Sequence, residues 1–334
     1  MPEKVINARA PTRLSFAGGG TDVNAYFEKY GGCVVNYAIN LFAYSTLTHT
    51  NSQALDLESA DLGLRRIYED IEALHSDRND NLLNLIAKEY GVPGIKLFAR
   101  SEFPAKSGIG GSATLSVSSI GAFHKLLGKE LDPMQIAKKA YEIERIKLSV
   151  KGGWQDQLAA TYGGFNFMEF SADGIKVTPL KLSKSTILEL EKGIVLAYVL
   201  PRESGSSIHA QQEKSIINKE QDVLNALHKT KELAYVMRDF LVAGDTVSAG
   251  ELLHKAWQEK KKMSQNVTNA HIDQIYDIAV ANGALGGKVS GAGGGGHMFF
   301  ICKPGKEHLI TGAIQQAGAK IVPFKFSSEG LEVW

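Results

Sequence analysis

The sequence predicts an α+β fold, and three observations carry the prediction. Strand-forming texture, rich in Val, Tyr, Phe and Thr, fills most of the first sixty residues. Stretches with Leu and Ile recurring every three or four residues follow, which is the spacing of amphipathic helices. Near the end, strand-like and helix-like segments alternate around a glycine-rich loop. No repeat, low-complexity tract or linker separates the halves, and a boundary within residues 175 to 190 divides the chain into residues 1–180 and 181–334.

Taken in order, "KVINARA", "RLSFA" and "GGCVVNYAINLFAYSTLTHT" read as strands, and residues 61–91 as helical up to a stop at Gly91. "GIKLFARSEF" returns to a strand. Ser112 to Leu127 shows helical spacing, and a further helix starts with Asp132 as N-cap and Pro133 in the first turn. Residues 163–200 have strand texture, and residues 208–241 are helical. The run Lys260, Lys261, Lys262 reads as the solvated face of a second helix. A helix, the loop "GGKVSGAGGGG", the strand "HMFFICKP", a helix and the strand "AKIVPFKF" complete the chain.

Composition excludes several classes. The 334 residues are 44% apolar and 22% charged, as in an ordinary globular protein large enough for a substantial core. Balanced charge, 37 basic against 36 acidic residues, gives no global field for nucleic acid or an anionic membrane, so an anionic ligand must be held locally. Cys33 and Cys302 stand far apart, outside any metal-binding or CxxC spacing, and read as packing residues. With no apolar run near 18 residues and no signal-peptide pattern, the expected location is the cytoplasm.

Chemistry concentrates in three glycine-rich loops and two acids. In "FPAKSGIGGSAT", residues 103–114, a strand leads through Gly108, Gly110 and Gly111 into a helix whose first turn carries Ser112 and Thr114. Unpaired amides at a helix start, reinforced by the macrodipole, form an anion site. The loop is not a Walker A motif, because Ser112 and Ala113 follow Gly111 where that motif needs a lysine. A GxGxxA dinucleotide fingerprint fits Gly108, Gly110 and Ala113, which keeps a Rossmann-type dehydrogenase as an alternative. A second fingerprint at Gly291, Gly293 and Gly296 runs into a strand instead of a helix, so its context fails. Between the loops, Glu144 and Asp156 are candidates for metal binding and proton transfer in phosphoryl transfer.

These segments resemble, in order, the three motifs of the GHMP kinases: "APTRLSFAGGGTD", "FPAKSGIGGSAT" and "KVSGAGGGG". The resemblance spans almost the whole chain. It implies a two-domain GHMP kinase fold, with an N-terminal α/β domain, a C-terminal ferredoxin-like domain and ATP between them. It also implies that the ATP phosphates lie along Lys106, Ser107, Gly108, Ile109, Gly110, Gly111, Ser112, Ala113 and Thr114. Ser112 and Glu144 would hold Mg²⁺, Asp156 would be the catalytic aspartate and Arg13 would sit beside it. Gly111 departs from the family pattern, which usually has a serine there.

Within the family, the segment Gly18-Gly19-Gly20-Thr21-Asp22 replaces the Gly-Glu-His-Thr-Asp of galactokinases. Together with "GGWQDQLAATYGG" and "AWQEKKKMS", it resembles the sugar kinases that phosphorylate D-glycero-D-manno-heptose 7-phosphate at the anomeric carbon, serving surface glycan synthesis. This likeness implies a sugar-phosphate acceptor held by Gly19, Gly20, Thr21, Asp22 and Gly293. A long anionic acceptor needs a cation at its far end, and Arg202 is the candidate for the distal phosphate, in a segment, "VLPRESGSS", that departs from the Thr-Gly then Arg-Ser pattern of relatives. A kinase for fucose, mannose or galactose is the alternative, and a homodimer is left open.

Overall fold

The computed structural model describes residues 4–202 and 205–334. Among these, twelve strands form two sheets. The first sheet holds β1 (Lys4–Ala17), β2 (Gly32–His49), β3 (Leu55–Ser59), β4 (Leu64–Tyr68), β5 (Ile95–Ser101), β6 (Phe165–Ser171), β7 (Gly174–Pro179) and β12 (Glu332–Val333). β12, β1, β2, β5, β3 and β4 run in that order, while β6 pairs with the start of β2 and with β7. Only β3 and β5 are parallel neighbours. A doubly wound parallel sheet is therefore absent among the described residues, and the Rossmann alternative fails on topology.

The second sheet is antiparallel, with order β11 (Lys320–Ile321), β8 (Ile194–Leu200), β10 (Gly296–Cys302), β9 (Ala284–Val289). Long helices separate β8 from β9, and the helix Glu307–Gln316 separates β10 from β11. This β-α-β-β-α-β order is ferredoxin-like, so the α+β reading holds.

Burial along β1 shows how the sheets meet. Residues 6 to 9 alternate, as in a strand with one covered face, whereas residues 10 to 17 are buried on both. That second half lies against the ferredoxin-like part. Leu14, Phe16, Tyr37 and Phe165 share a core with Leu196, Met237, Leu253 and Phe299, and the Phe16 and Phe299 rings approach edge-on at 5.4 Å. On its other side the first sheet packs on the helix Gly111–Leu126, which is buried from Ala113 to His124. Gly, Ala and Ser dominate that helix and let it be enclosed all round. Its serines pair inward, with Ser45 Oγ at 2.8 Å from Ser118 Oγ and 2.9 Å from Ser119 Oγ.

Several local expectations change. Residues 64–68, read as helical, form β4 opposite β3, where Arg65 reaches Asp56 through two hydrogen bonds of 2.9 and 2.7 Å. The helices there start later, at side-chain caps: Asp70 accepts from Ala73 N and Asn81 from Asn84 N. A helix, Lys184–Gly193, capped by Ser183, interrupts the strand texture of 163–200. Residues 286–289 of the supposed third loop belong to β9, and of "AKIVPFKF" only Lys320 and Ile321 are strand. Asp132 caps its helix as expected, accepting from Gln135 N at 2.7 Å, with Pro133 behind it. Cys33 and Cys302 are buried, unpaired thiols, each pushed up to about 12 by burial. No described helix is long and apolar enough to cross a membrane.

The turn after β1 is tied to β2 through Thr21. Its Oγ1 lies 2.8 Å from Gly18 O and 2.9 Å from Cys33 O, and accepts the Cys33 N–H at 3.1 Å. Gly18 has φ +86°, and a Cβ there would overlap the Cys33 carbonyl. Thr21→Val leaves the buried Cys33 N–H without its acceptor. It is expected to lower stability by about 1–3 kcal/mol, read as a lower urea midpoint at unchanged slope.

Candidate active site

The three glycine-rich segments converge on one cleft of about 670 Å³, a size typical of small-molecule sites. Arg13 organises its centre. Its side chain is 2% exposed and points from the doubly buried half of β1. Nε donates to Asp156 Oδ1 at 2.9 Å, Nη2 forms an ion pair with the same oxygen at 2.6 Å, and Nη1 donates to Gly108 O at 3.2 Å and to Ser290 Oγ at 2.9 Å. One guanidinium thus joins the first motif to the second, the third and the acid.

Gly110 is the N-cap of the Gly111–Leu126 helix at φ +87°, and a Cβ on it would stand 3.2 Å from Asp156 Cγ. Backbone amides at this helix start face the cleft beside the carboxylate. Lys106, Ser107, Gly108, Gly110, Gly111, Ser112 and Ala113 line the cleft. Ile109 is wholly buried behind the loop, and Thr114 Oγ1 turns back to Gly110 O at 2.9 Å, so neither side chain faces it. Gly111 has a steric reason for departing from the family serine: a Cβ there would overlap the Phe103 ring. Ser107 O anchors the loop to β10, accepting from His297 N at 2.9 Å and lying 2.8 Å from His297 Nδ1.

Asp156 sits in the first turn of the helix Gln155–Tyr162, with its side chain 20% exposed. Burial pushes its carboxyl up, but the charges of Arg13 and then Arg145 outweigh this, and the net shift is below the ordinary aspartate value. Asp22 lies beside it, 3% exposed, accepting from Gly20 N at 3.1 Å and Gln155 N at 3.0 Å. Burial raises its carboxyl despite the Gln155 N–H, and the Asp156 charge adds to the rise. The two acids are therefore pushed apart in acidity. Gly153 permits this arrangement, since a Cβ there would overlap the Asp22 carboxylate.

Glu144 lies in a π-helical turn, Glu142–Lys147, 2% exposed. Oε2 accepts from Gln157 Nε2 at 2.7 Å and Oε1 pairs with Arg145 Nη1 at 3.2 Å. Ser112 and Glu144 line the same cleft, and a carboxylate with a hydroxyl suits a hard cation that completes its shell with phosphate and water oxygens. Of the remaining expected residues, Gly19, Gly20, Asp22 and Arg202 line the cleft. Thr21 does not, since it is fully buried in its turn, and neither does Gly293, which packs against the Val267 backbone.

The cleft also holds groups that motif reading did not single out. Arg145, His209, Gln212 and Lys260 line it near Arg202, while Leu57, Leu62, Leu64, Phe103, Leu115 and Leu148 form an apolar arm beyond the phosphate loop. Lys260 corrects the reading of the lysine run. It is 6% exposed and turned inward, whereas Lys261 and Lys262 lie outward near Asp273 and Glu259. Its position within the apolar stripe of the helix Thr246–Lys262, three residues after Trp257, was the available signal.

A buried arginine–aspartate pair beside an amide-lined helix start, in a cleft between a mixed sheet and a ferredoxin-like sheet, defines a small-molecule kinase. Comparison with known proteins agrees. The GHMP kinases N terminal domain matches residues 80–164, and the GHMP kinases C terminal family matches residues 237–320. The chain is 37% identical over 338 residues to the D-glycero-alpha-D-manno-heptose 7-phosphate kinase of Campylobacter jejuni, covering 99% of each. It is 26% identical to the L-fucokinase/L-fucose-1-P guanylyltransferase of Bacteroides fragilis, over 99% of this chain and 38% of that longer one. A crystal structure described as a D-glycero-D-manno-heptose 1-phosphate kinase from Bacteroides thetaiotaomicron superposes with a TM-score of 0.78 at 31% identity, over 98% of both chains. The chain belongs to the GHMP kinases, phosphotransferases that use ATP as donor and an alcohol as acceptor.

Because Asp156 is held below the ordinary aspartate value, its carboxyl should stay ionised down to pH values below that value. Arg13→Gln removes the main opposing charge and leaves burial, which pushes the carboxyl up. The Asp156 titration is expected to move to higher pH in this variant, followed by the carboxyl carbon chemical shift over a buffer series.

Proposed function

We propose that the protein is an ATP-dependent sugar-phosphate kinase that transfers a phosphoryl group to the anomeric 1-hydroxyl of D-glycero-α-D-manno-heptose 7-phosphate, giving the 1,7-bisphosphate. The observation that carries the reaction type is the Arg13–Asp156 pair beside the amide-lined helix start. The acceptor is supported by 37% identity over nearly the whole length to a kinase of that name.

On this reading the ATP phosphates lie along residues 106–113, and the nucleoside occupies the apolar arm. The acceptor lies beyond Asp156, against Gly19, Gly20 and Asp22. Asp156 takes the proton of the 1-hydroxyl as its oxygen bonds to the γ-phosphorus and the bond to the ADP oxygen breaks. Arg13 keeps that carboxylate ionised and fixed against Gly108 and Ser290. Ser112 and Glu144 would hold magnesium, which would neutralise charge on the phosphate oxygens. Gly19 and Gly20 leave room for a seven-carbon sugar, and Arg202 meets its far phosphate. A requirement for ATP and a sugar phosphate supports a cytoplasmic location on this reading.

A kinase for another sugar is the competing reading, favoured by the likeness to an L-fucokinase. Measuring ADP release with heptose 7-phosphate, fucose, mannose and galactose separates the two. The proposal expects turnover of the heptose phosphate, and turnover of free hexoses alone would overturn it. Asp156→Asn is expected to lower kcat by roughly 10²–10⁴-fold while ATP binding, followed by calorimetry, is retained. Gly19→Glu adds a side chain whose Cβ would sit tightly at 3.3 Å from Ser15 Oγ, which must shift slightly, and at an ordinary 3.6 Å from Gln155 Nε2. It should raise KM for the sugar phosphate far more than KM for ATP, and equal changes would refute the assignment of this loop to the acceptor.

A further inference from the structure

Two cations in the cleft, Lys260 buried and Arg202 half-buried, lack an ion-pair partner among the described residues. Arg13 is neutralised by Asp156 and Arg145 faces Glu144. Arg202 and Lys260 form no ion pair among the described residues, and Arg202 Nε has no hydrogen-bond partner. Burial is costly for such groups unless a ligand compensates. Around them, Arg145 Nε, Gln212 Nε2 and His209 Nδ1 also lack partners, although Gln212 is 4% exposed and Lys260 6%. Arginine, lysine and amide nitrogens are donors, so the unsatisfied capacity is overwhelmingly that of an anion receptor.

Its place in the cleft separates it from the donor phosphates. The phosphate loop touches Asp156 on one side through Gly110. Asp22 lies next to Asp156 in the cleft, and Gly20 packs near Met263, three residues beyond Lys260. Arg202 rests over Gly294 and Gly295 of the third loop. These groups thus stand on the acceptor side of the arginine–aspartate pair.

We infer that Arg202 and Lys260, with the Arg145, His209 and Gln212 side chains, form a second anion subsite that receives the phosphate already carried by the acceptor and so selects phosphorylated over free sugars. The inference rests on the sugar-phosphate kinase reading and adds the groups that decide that preference. Two uncompensated cations match the charge of a phosphate monoester near neutral pH. Lys260 is held down to about 8, first by burial and then by the Arg13 charge, and an incoming dianion would favour its ammonium form. His209 is held down to about 3 by burial and the neighbouring cations, so it contributes as a neutral ring.

The test compares wild type with Lys260→Met, Lys260→Arg and Arg202→Met on a phosphorylated sugar and its unphosphorylated parent, with KM for ATP measured in parallel. Both Met variants are expected to raise KM for the phosphorylated sugar on the order of 100-fold, with little change for the free sugar or ATP, and Lys260→Arg should recover most of the loss. Removing an uncompensated buried charge should also raise Tm for Lys260→Met, whereas a purely structural lysine would lower it. Equal loss on both acceptors, a rise in KM for ATP instead, or a lowered Tm would overturn the subsite. If wild type ignores heptose 7-phosphate but accepts another sugar phosphate, the heptose assignment fails and the subsite is read on that sugar pair. Turnover of unphosphorylated sugars only would overturn the subsite itself.

Discussion

Arg13 is the constraint on which the cleft depends. Three sequence segments with hardly any side chains cannot hold each other by packing, and glycine-rich backbone has the most conformational freedom to lose on ordering. A single guanidinium supplies what they lack, because its donors lie in a rigid plane and are shared among Asp156, Gly108 O and Ser290 Oγ. The burial of β1 on both faces holds the arginine in turn. The distance between the acid and the helix start is therefore set by the core that joins the two sheets.

Electrostatics in the cleft follow from that arrangement. Two aspartates lie side by side, and the one facing the guanidinium is driven below the ordinary aspartate value while its neighbour is driven above it by burial, against the pull of its backbone amides. Such a split assigns different work to chemically identical groups. Cations outnumber acids among the other charged residues of the wall, and the chain as a whole has almost no net charge. The field an anionic ligand meets is local, built by burial and not by composition.

Much of this was legible in the sequence. The glycine loops could be read from composition, because backbone geometry leaves its mark there, whereas Arg13, Asp156 and Glu144 were singled out by the resemblance of their segments to GHMP kinase motifs, and the structure brings all three to one cleft. Thr21 and Gly293 were misplaced for a related reason: both are required by the turn that shapes the site, and a motif does not distinguish a residue that builds a turn from one that faces the ligand. Lys260 was hidden in a run of three lysines, where only helix phase separates an inward side chain from two outward ones. Residues 64–68 misled because their apolar spacing fits a helix, while pairing with β3 through Arg65 and Asp56 is a long-range choice.

The path of the chain between the sheets has a mechanical consequence. After β11 the chain returns to the first sheet, where Phe326 bridges Ile39 and β12 lies beside β1. The ferredoxin-like part is thus an insertion tethered at both ends, between β7 and β12. Two tethers rather than one keep the halves in register at both ends, and the shared core of Leu14, Phe16 and Phe299 holds them together between those ends.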